Sequence, residues 1–181
     1  SSLDVAVTEK NFELPAREGY RLTAEEAQKQ ADAAKAALDA AEKQADVYGK
    51  RIIDAYRVEN YLATLRLSAA KRFNAPNRQK TIRIIQQAVR IGDTAFVTFP
   101  CEVFTEIGLK VKQQSPLDNT FVLGVAGAMG GYLPTADEFK EEGYAALISP
   151  FSPRAEQGLI DSSLELIGAV MKPEIKSNRK E

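Results

Sequence analysis

The hydrophobic period of this chain changes at Asn74-Ala75-Pro76-Asn77, and that break limits the folds open to it. From Thr23 to the break, apolar residues recur at three- and four-residue intervals among strong helix formers. After it come short runs of β-branched and aromatic residues. Neither an all-helical nor an all-β fold accommodates both halves, so the reading is α/β (α+β): a helical hairpin, then a mixed sheet with a β-hairpin and flanking helices. Thr23-Ala24-Glu25-Glu26 carries a capping-box pattern, which starts the first helix and runs it to about Gln44. Its apolar side is small: Ala27, Ala31, Ala34, Leu38 and Ala41. A second helix from near Gly49 to Arg72 carries a heavier stripe of Ile52, Ile53, Tyr56, Tyr61, Leu62 and Leu65, completing a hairpin over residues 23–73. Ahead of it, residues 1–22 form an extended arm, in which Val5, Val7, Phe12 and Leu14 mark an edge strand that needs a pairing partner.

The second half, residues 78–171, begins with two β-rich runs, 81–91 and 94–99, separated by Gly92-Asp93, a type II′ hairpin signal. After Pro100, the spacing of Val103, Phe104, Ile107 and Val111 predicts a helix with Glu102 in its first turn. Residues 120–126 form a continuous apolar run, the pattern of a buried strand, and empty into Gly127-Ala128-Met129-Gly130-Gly131. Residues 135–138 present a second capping box. Ser152-Pro153 opens a last amphipathic helix through Leu159, Ile160, Leu166, Ile167 and Val170, beyond which residues 172–181 form a polar tail.

Several function classes fall away on composition. Lys and Arg number 24 against 25 Asp and Glu, with no basic patch interleaved with aromatics, which argues against a nucleic-acid partner. A single cysteine excludes an internal disulfide and any multi-cysteine zinc motif. No run is long and apolar enough for a transmembrane segment, and the start at Ser1 has neither the basic nor the apolar region of a signal peptide, so a targeting signal would lie upstream.

The residues that could carry chemistry each have a plain alternative. Glu102 suits a helix start, where the dipole favours a carboxylate; it also sits where a strand ends in Pro and turns, at the sheet edge where ligand sites gather. Tyr132 and Tyr144 are ordinary packing aromatics or phenols able to bind a divalent cation after losing a proton. Cys101 reads as a small buried residue rather than a nucleophile, since the chain has no histidine to serve as its base. Ser1 is a candidate amino-terminal nucleophile, set against a following stretch that is arm and helix rather than sheet.

Five segments, in order and spacing, resemble the neutral/alkaline (non-lysosomal) ceramidase family, in its C-terminal portion as found in the shorter bacterial ceramidase-like proteins. They are Phe12-Glu13-Leu14-Pro15-Ala16-Arg17, the charged helical hairpin, Gln87-Ala88-Val89-Arg90-Ile91-Gly92-Asp93, Pro100-Cys101-Glu102-Val103-Phe104 and Gly131-Tyr132-Leu133-Pro134-Thr135. The resemblance implies a portion of a larger catalytic domain of a zinc-dependent N-acyl amide hydrolase acting on ceramide or a related lipid. Glu102 and Tyr132 are then zinc ligands and Tyr144 faces the scissile amide. The family's two zinc-binding histidines would come from an upstream part of the same enzyme or from a second subunit, and a secreted or periplasmic location is favoured. This sequence departs from the family pattern in having Cys101 for glycine, Gly127-Ala128-Met129 for Asn-x-Tyr, and Ala145 for the Glu after the second tyrosine. The departures surround the substrate rather than the ligands, leaving open an N-acyl or ester substrate of another shape. The rival readings are a non-catalytic interaction subunit docking through its helical hairpin, and a self-processed hydrolase using Ser1.

Overall fold

A computed structural model describes residues 4–128 and 130–171; Ser1, Met129 and the tail 172–181 fall outside the described residues. The amino-terminal arm is a strand. β1 (Val5–Pro15) pairs antiparallel with β2 (Thr81–Ile91) over its full length, from Val5 opposite Ile91 to Pro15 opposite Thr81. β2 turns at Gly92, whose φ of 60° supplies the positive angle expected at the first position of a type II′ turn, and returns as β3 (Thr94–Phe99). β5 (Asn119–Gly124) then joins β3 in parallel, giving the order β1-β2-β3-β5.

One face of this sheet holds the main core. Leu14, Ile84, Ala88, Ala95, Val97 and Phe99 lie under α3 (Thr105–Gln114) and α6 (Ala155–Met171), which contribute Ile107, Val111, Leu159, Ile160, Leu166, Ile167 and Val170. The apolar stripe expected of the last helix is the one buried. Gln86, fully buried on the same face, is satisfied: its amide donates to the Thr98 carbonyl at 3.0 Å and to Ser163 Oγ at 3.1 Å, and its oxygen accepts from Ser162. On the opposite face, strand register aligns Val7, Val89, Phe96 and Phe121 in one row across all four strands. That row is open: Val7 is 67% exposed and Phe121 49%, with Phe121 stacked on Phe96 at 5.3 Å.

Three expectations are corrected here. The apolar run 120–126 is not a buried strand: β5 ends at Gly124, lies at the sheet edge, and leaves Phe121, Leu123 and Val125 exposed because only its Thr120/Val122 side faces the core. Glu102 is not in a helix. It belongs to β4 (Glu102–Val103), paired in parallel with β6 (Tyr132–Leu133), while α3 begins only at Thr105; the amides of Glu102 and Phe104 donate to the carbonyls of Gly131 and Leu133 instead of entering a helix. The box at residues 135–138 closes only in part, since the Glu138 amide reaches Thr135 Oγ1 at 3.4 Å and α4 (Glu138–Glu141) starts after it.

The helical hairpin forms as its sequence suggests. α1 (Ala24–Glu42) is capped by Thr23, whose hydroxyl accepts from the Glu26 amide at 3.2 Å while the Glu26 carboxylate accepts from the Thr23 amide at 2.8 Å. α2 (Ala45–Phe73) is interrupted at Gly49, where φ is 71°. The heavy stripe is differently placed than expected: Ile53, Ala63, Ala69, Ala70 and Phe73 are buried, whereas Ile52, Tyr56 and Tyr61 are exposed. The physical reason lies in α1. Its buried contacts are Ala27 and Ala41, with Ala31, Ala34 and Leu38 only half-buried, and small residues on one helix admit the close approach that small residues on the other complete. A second core cluster of Tyr20, Ala27, Ala69, Ala70, Phe73 and Leu147 ties the hairpin to α5 (Tyr144–Ile148). Asn74, at the sequence break, accepts from the Tyr20 amide and donates to the Leu22 carbonyl, both at 2.8 Å. Among the described residues, no helix is long and apolar enough to cross a membrane.

Candidate functional site

The chain positions Glu102 and Tyr132 by backbone pairing. β4 follows β3 after bends at Pro100 and Cys101, and its two residues register with β6 so that Glu102 stands opposite Tyr132. Opposed residues on neighbouring strands project to the same side, so a separation of thirty positions in sequence collapses to one interstrand spacing. Glycine makes the approach possible. Gly130 donates to the Pro100 carbonyl at 2.8 Å, and a Cβ at Gly130 would lie 3.0 Å from that same oxygen; Gly131, at φ 82°, then turns the chain into β6. From the other side, Ser149 Oγ donates to the Tyr132 carbonyl at 2.8 Å.

Tyr144 arrives from a different element. It is the first residue of α5, and its ring meets that of Tyr132 edge-on, with centroids 5.8 Å apart and planes at 78°. The turn before α5 contains Glu142, a non-glycine residue at φ 51°, and Arg21 grips its carboxylate with two 2.7 Å hydrogen bonds. That fork holds Glu142 below the usual carboxylate range, its largest cause being the Arg21 hydrogen bonds. The turn that aims Tyr144 is therefore fastened to the segment preceding α1.

A third tyrosine completes the cluster. Tyr61, on the exposed side of α2, stacks on Tyr144 with centroids 6.2 Å apart and planes at 21°. No residue spacing in the sequence separates it from the other aromatics of that helix. The same is true of Arg21 and Glu142, which meet only because the hairpin folds back on α5.

The electrostatics follow from these neighbours. The Tyr132 phenol is pushed up first by hydrogen bonding with the Glu102 side chain, then by the charge of that carboxylate. The Tyr144 phenol is pushed up first by hydrogen bonding with Tyr61, with a smaller push from Glu102. Both rings are thus neutral donors at ordinary pH. For Tyr132 to bind a metal as phenolate, the cation must supply the stabilisation that Glu102 withholds. The oxygen donors fit half of a divalent-metal site: a carboxylate and a phenol side by side, suited to a hard or borderline ion. They are not a whole one, and among the described residues no three His, Cys, Asp or Glu side chains are grouped to hold a metal.

Cys101, adjacent to Glu102, points the other way. It is fully buried, and burial pushes its thiol up to about 12, which makes it a packing residue and not a nucleophile.

No family model matches the chain. No curated protein matches it. Two solved structures are similar to part of it: "Ceramidase complexed with C2", with 16% identity and a TM-score of 0.44 over 54% of this chain, and the neutral ceramidase from Pseudomonas aeruginosa, with 20% identity and a TM-score of 0.43 over 56%. The chain spans 16% and 18% of the length of those two proteins.

Proposed function

We propose that this chain is the C-terminal portion of a zinc-dependent amidohydrolase of ceramidase type, which hydrolyses the N-acyl amide bond of ceramide or a related lipid. The observation that carries this reading is the register pairing of Glu102 with Tyr132, with the Tyr144 ring edge-on to Tyr132. Two oxygen donors held on adjacent strands, beside a neutral phenol, are the parts such a site would need from this polypeptide. Glu102 and Tyr132 would hold the metal together with two histidines from an upstream part of the enzyme or a second subunit. Zinc in such a site supplies Lewis acidity and an acidified water at neutral pH. Tyr144, protonated, would donate to the acyl carbonyl oxygen as charge gathers on it. The open sheet face bearing Val7, Val89, Phe96 and Phe121 supports the same reading, since a histidine-bearing remainder would cover apolar surface left bare here.

The test is complementation. The 181-residue chain should turn over a fluorogenic N-acyl sphingosine only when combined with a polypeptide supplying the histidines, in a zinc-dependent manner. Failure of every such combination, with both parts folded, would remove the assignment. A second reading, a non-catalytic subunit docking through the hairpin, is favoured by one observation: Ile52, Tyr56 and Val58 are exposed on α2 at 46%, 37% and 58%. Under that reading, substitutions at these positions would weaken a complex, and substitutions at Glu102, Tyr132 or Tyr144 would leave hydrolysis untouched.

A further inference from the structure

Arg17 closes the segment Phe12-Glu13-Leu14-Pro15-Ala16-Arg17, and the proposed amide hydrolysis gives it no part. The need it meets is set by sequence. α5 is only five residues long, and the amide that would bond the Ala146 carbonyl in the helical pattern belongs to residue 150, a proline, which has no N–H to give. Ala146 is 1% exposed, so bulk water does not reach that oxygen. Arg17 does: its Nη1 donates to the Ala146 carbonyl, while its backbone amide donates to the Pro150 carbonyl at 2.8 Å. Three rings, those of Phe73, Tyr20 and Phe139, hold the guanidinium in place, with their centroids 4.7, 5.3 and 5.5 Å from its central carbon. A little further along the chain, Arg21 grips Glu142. Tyr144 stands midway between Glu142 and Ala146, so one short segment, residues 17–21, holds the chain on both sides of it.

We propose that Arg17 is a positioning residue for Tyr144: its guanidinium fixes the carboxyl end of α5 and, with the Arg21 fork at the other end, sets where the Tyr144 ring meets Tyr132. The inference rests on the amidohydrolase reading for its functional consequence, but the hold of Arg17 on α5 does not. Arginine suits the place better than lysine, because a planar guanidinium can lie over aromatic faces and donate in its own plane at once. The hold matters because a displacement of about an ångström in a group that must meet a reacting carbonyl is enough to slow the reaction. The amino-terminal arm then does more than add a strand to the sheet: its last residue braces the helix that carries Tyr144.

The experiment has two arms. In the zinc-loaded complete enzyme, Arg17→Met should lower kcat roughly tenfold with KM and zinc content unchanged, and Arg17→Lys, which keeps a donor but not the plane, should recover part of that loss. Arg78→Met, at an exposed guanidinium lining the same cavity as Arg17, should leave kcat where it was. Arg17→Met added to Tyr144→Phe should cost little further, because Arg17 acts through the Tyr144 hydroxyl. In the metal-free 181-residue chain carrying 3-fluorotyrosine at position 144, Arg17→Lys should shift the fluorine resonance and Arg78→Met should not; the lysine variant decides both arms if Arg17→Met does not fold. Additive rate losses, zinc loss that matches the rate loss, or a fluorine resonance indifferent to Arg17 would overturn the proposal. If the complete enzyme hydrolyses no N-acyl substrate, the functional reading fails by itself, and the fluorine arm still decides whether Arg17 positions Tyr144.

Discussion

Glu102, Tyr132 and Tyr144 share a small space but differ in what each could lose. On the proposed reading Tyr144→Phe would remove only a donor to developing charge, so in the complete enzyme it should lower kcat by roughly ten- to a thousandfold with zinc content and melting temperature nearly unchanged. On the proposed reading Tyr132→Phe would delete a metal ligand and should reduce both rate and zinc retention, read by metal analysis after dialysis against a weak chelator. Equal, near-wild-type turnover by both variants would refute the assignment. Cys101 gives a separate test. Its thiol is raised from an ordinary 9.0 to about 12 by burial, so the unfolded chain ionises it first. The neutral thiol's contribution to stability is full below pH 9 and should be lost as pH rises from 9 toward 12, so Cys101→Ala should make the alkaline decline in denaturant titrations shallower, leaving the part due to the raised tyrosine phenols. At neutral pH the native thiol should resist alkylation until the protein unfolds.

At the scale of elements, the hairpin shows how far local rules reach. The Thr23–Glu26 box forms with both reciprocal hydrogen bonds, and Thr23→Ala should cost about 1 kcal/mol, measured as a lower midpoint in urea. Local rules did not say which face of α2 would be buried, because Ile52 and Ile53 are neighbours and either could lead the stripe. The small buried residues of α1 decided for the Ile53 face and left Tyr61 free to meet Tyr144. β5 teaches a related lesson. An apolar run is consistent with burial on both sides, but pairing on one edge and core on one face leave Phe121 and Leu123 exposed.

For the whole molecule, the proposed reading ties the pair of oxygen donors and the open sheet face of the described residues to a second part of the enzyme. One carboxylate and one phenol do not provide the three protein ligands of a catalytic zinc. The purified chain should therefore show no metal-dependent amidase activity without a partner, and its affinity for zinc, measured by competition with a chromophoric chelator, should rise when a histidine-bearing part is supplied. Robust activity from the chain alone would sink the split-site reading. It would redirect attention to Ser1.

Much of this protein was legible in the sequence because the relevant physics is short-ranged. A capping box, a Gly-Asp turn, helical spacing in the last helix and the change of period at Asn74-Ala75-Pro76-Asn77 each act within a few residues, and each element they announce is present. Glu102, Tyr132 and Tyr144 were likewise marked by motif order, although the helix expected at Glu102 is a strand. That error has a clear cause: Val103, Phe104, Ile107 and Val111 fit a helical period, but the partner that draws residues 102–103 into a sheet lies thirty residues away at Tyr132. Tertiary structure alone decided the opposition of Glu102 to Tyr132, the Arg21 fork on Glu142 and the stacking of Tyr61 on Tyr144. Each depends on elements distant in the chain meeting at a set distance and angle, and no periodicity within one element encodes where another will pack against it.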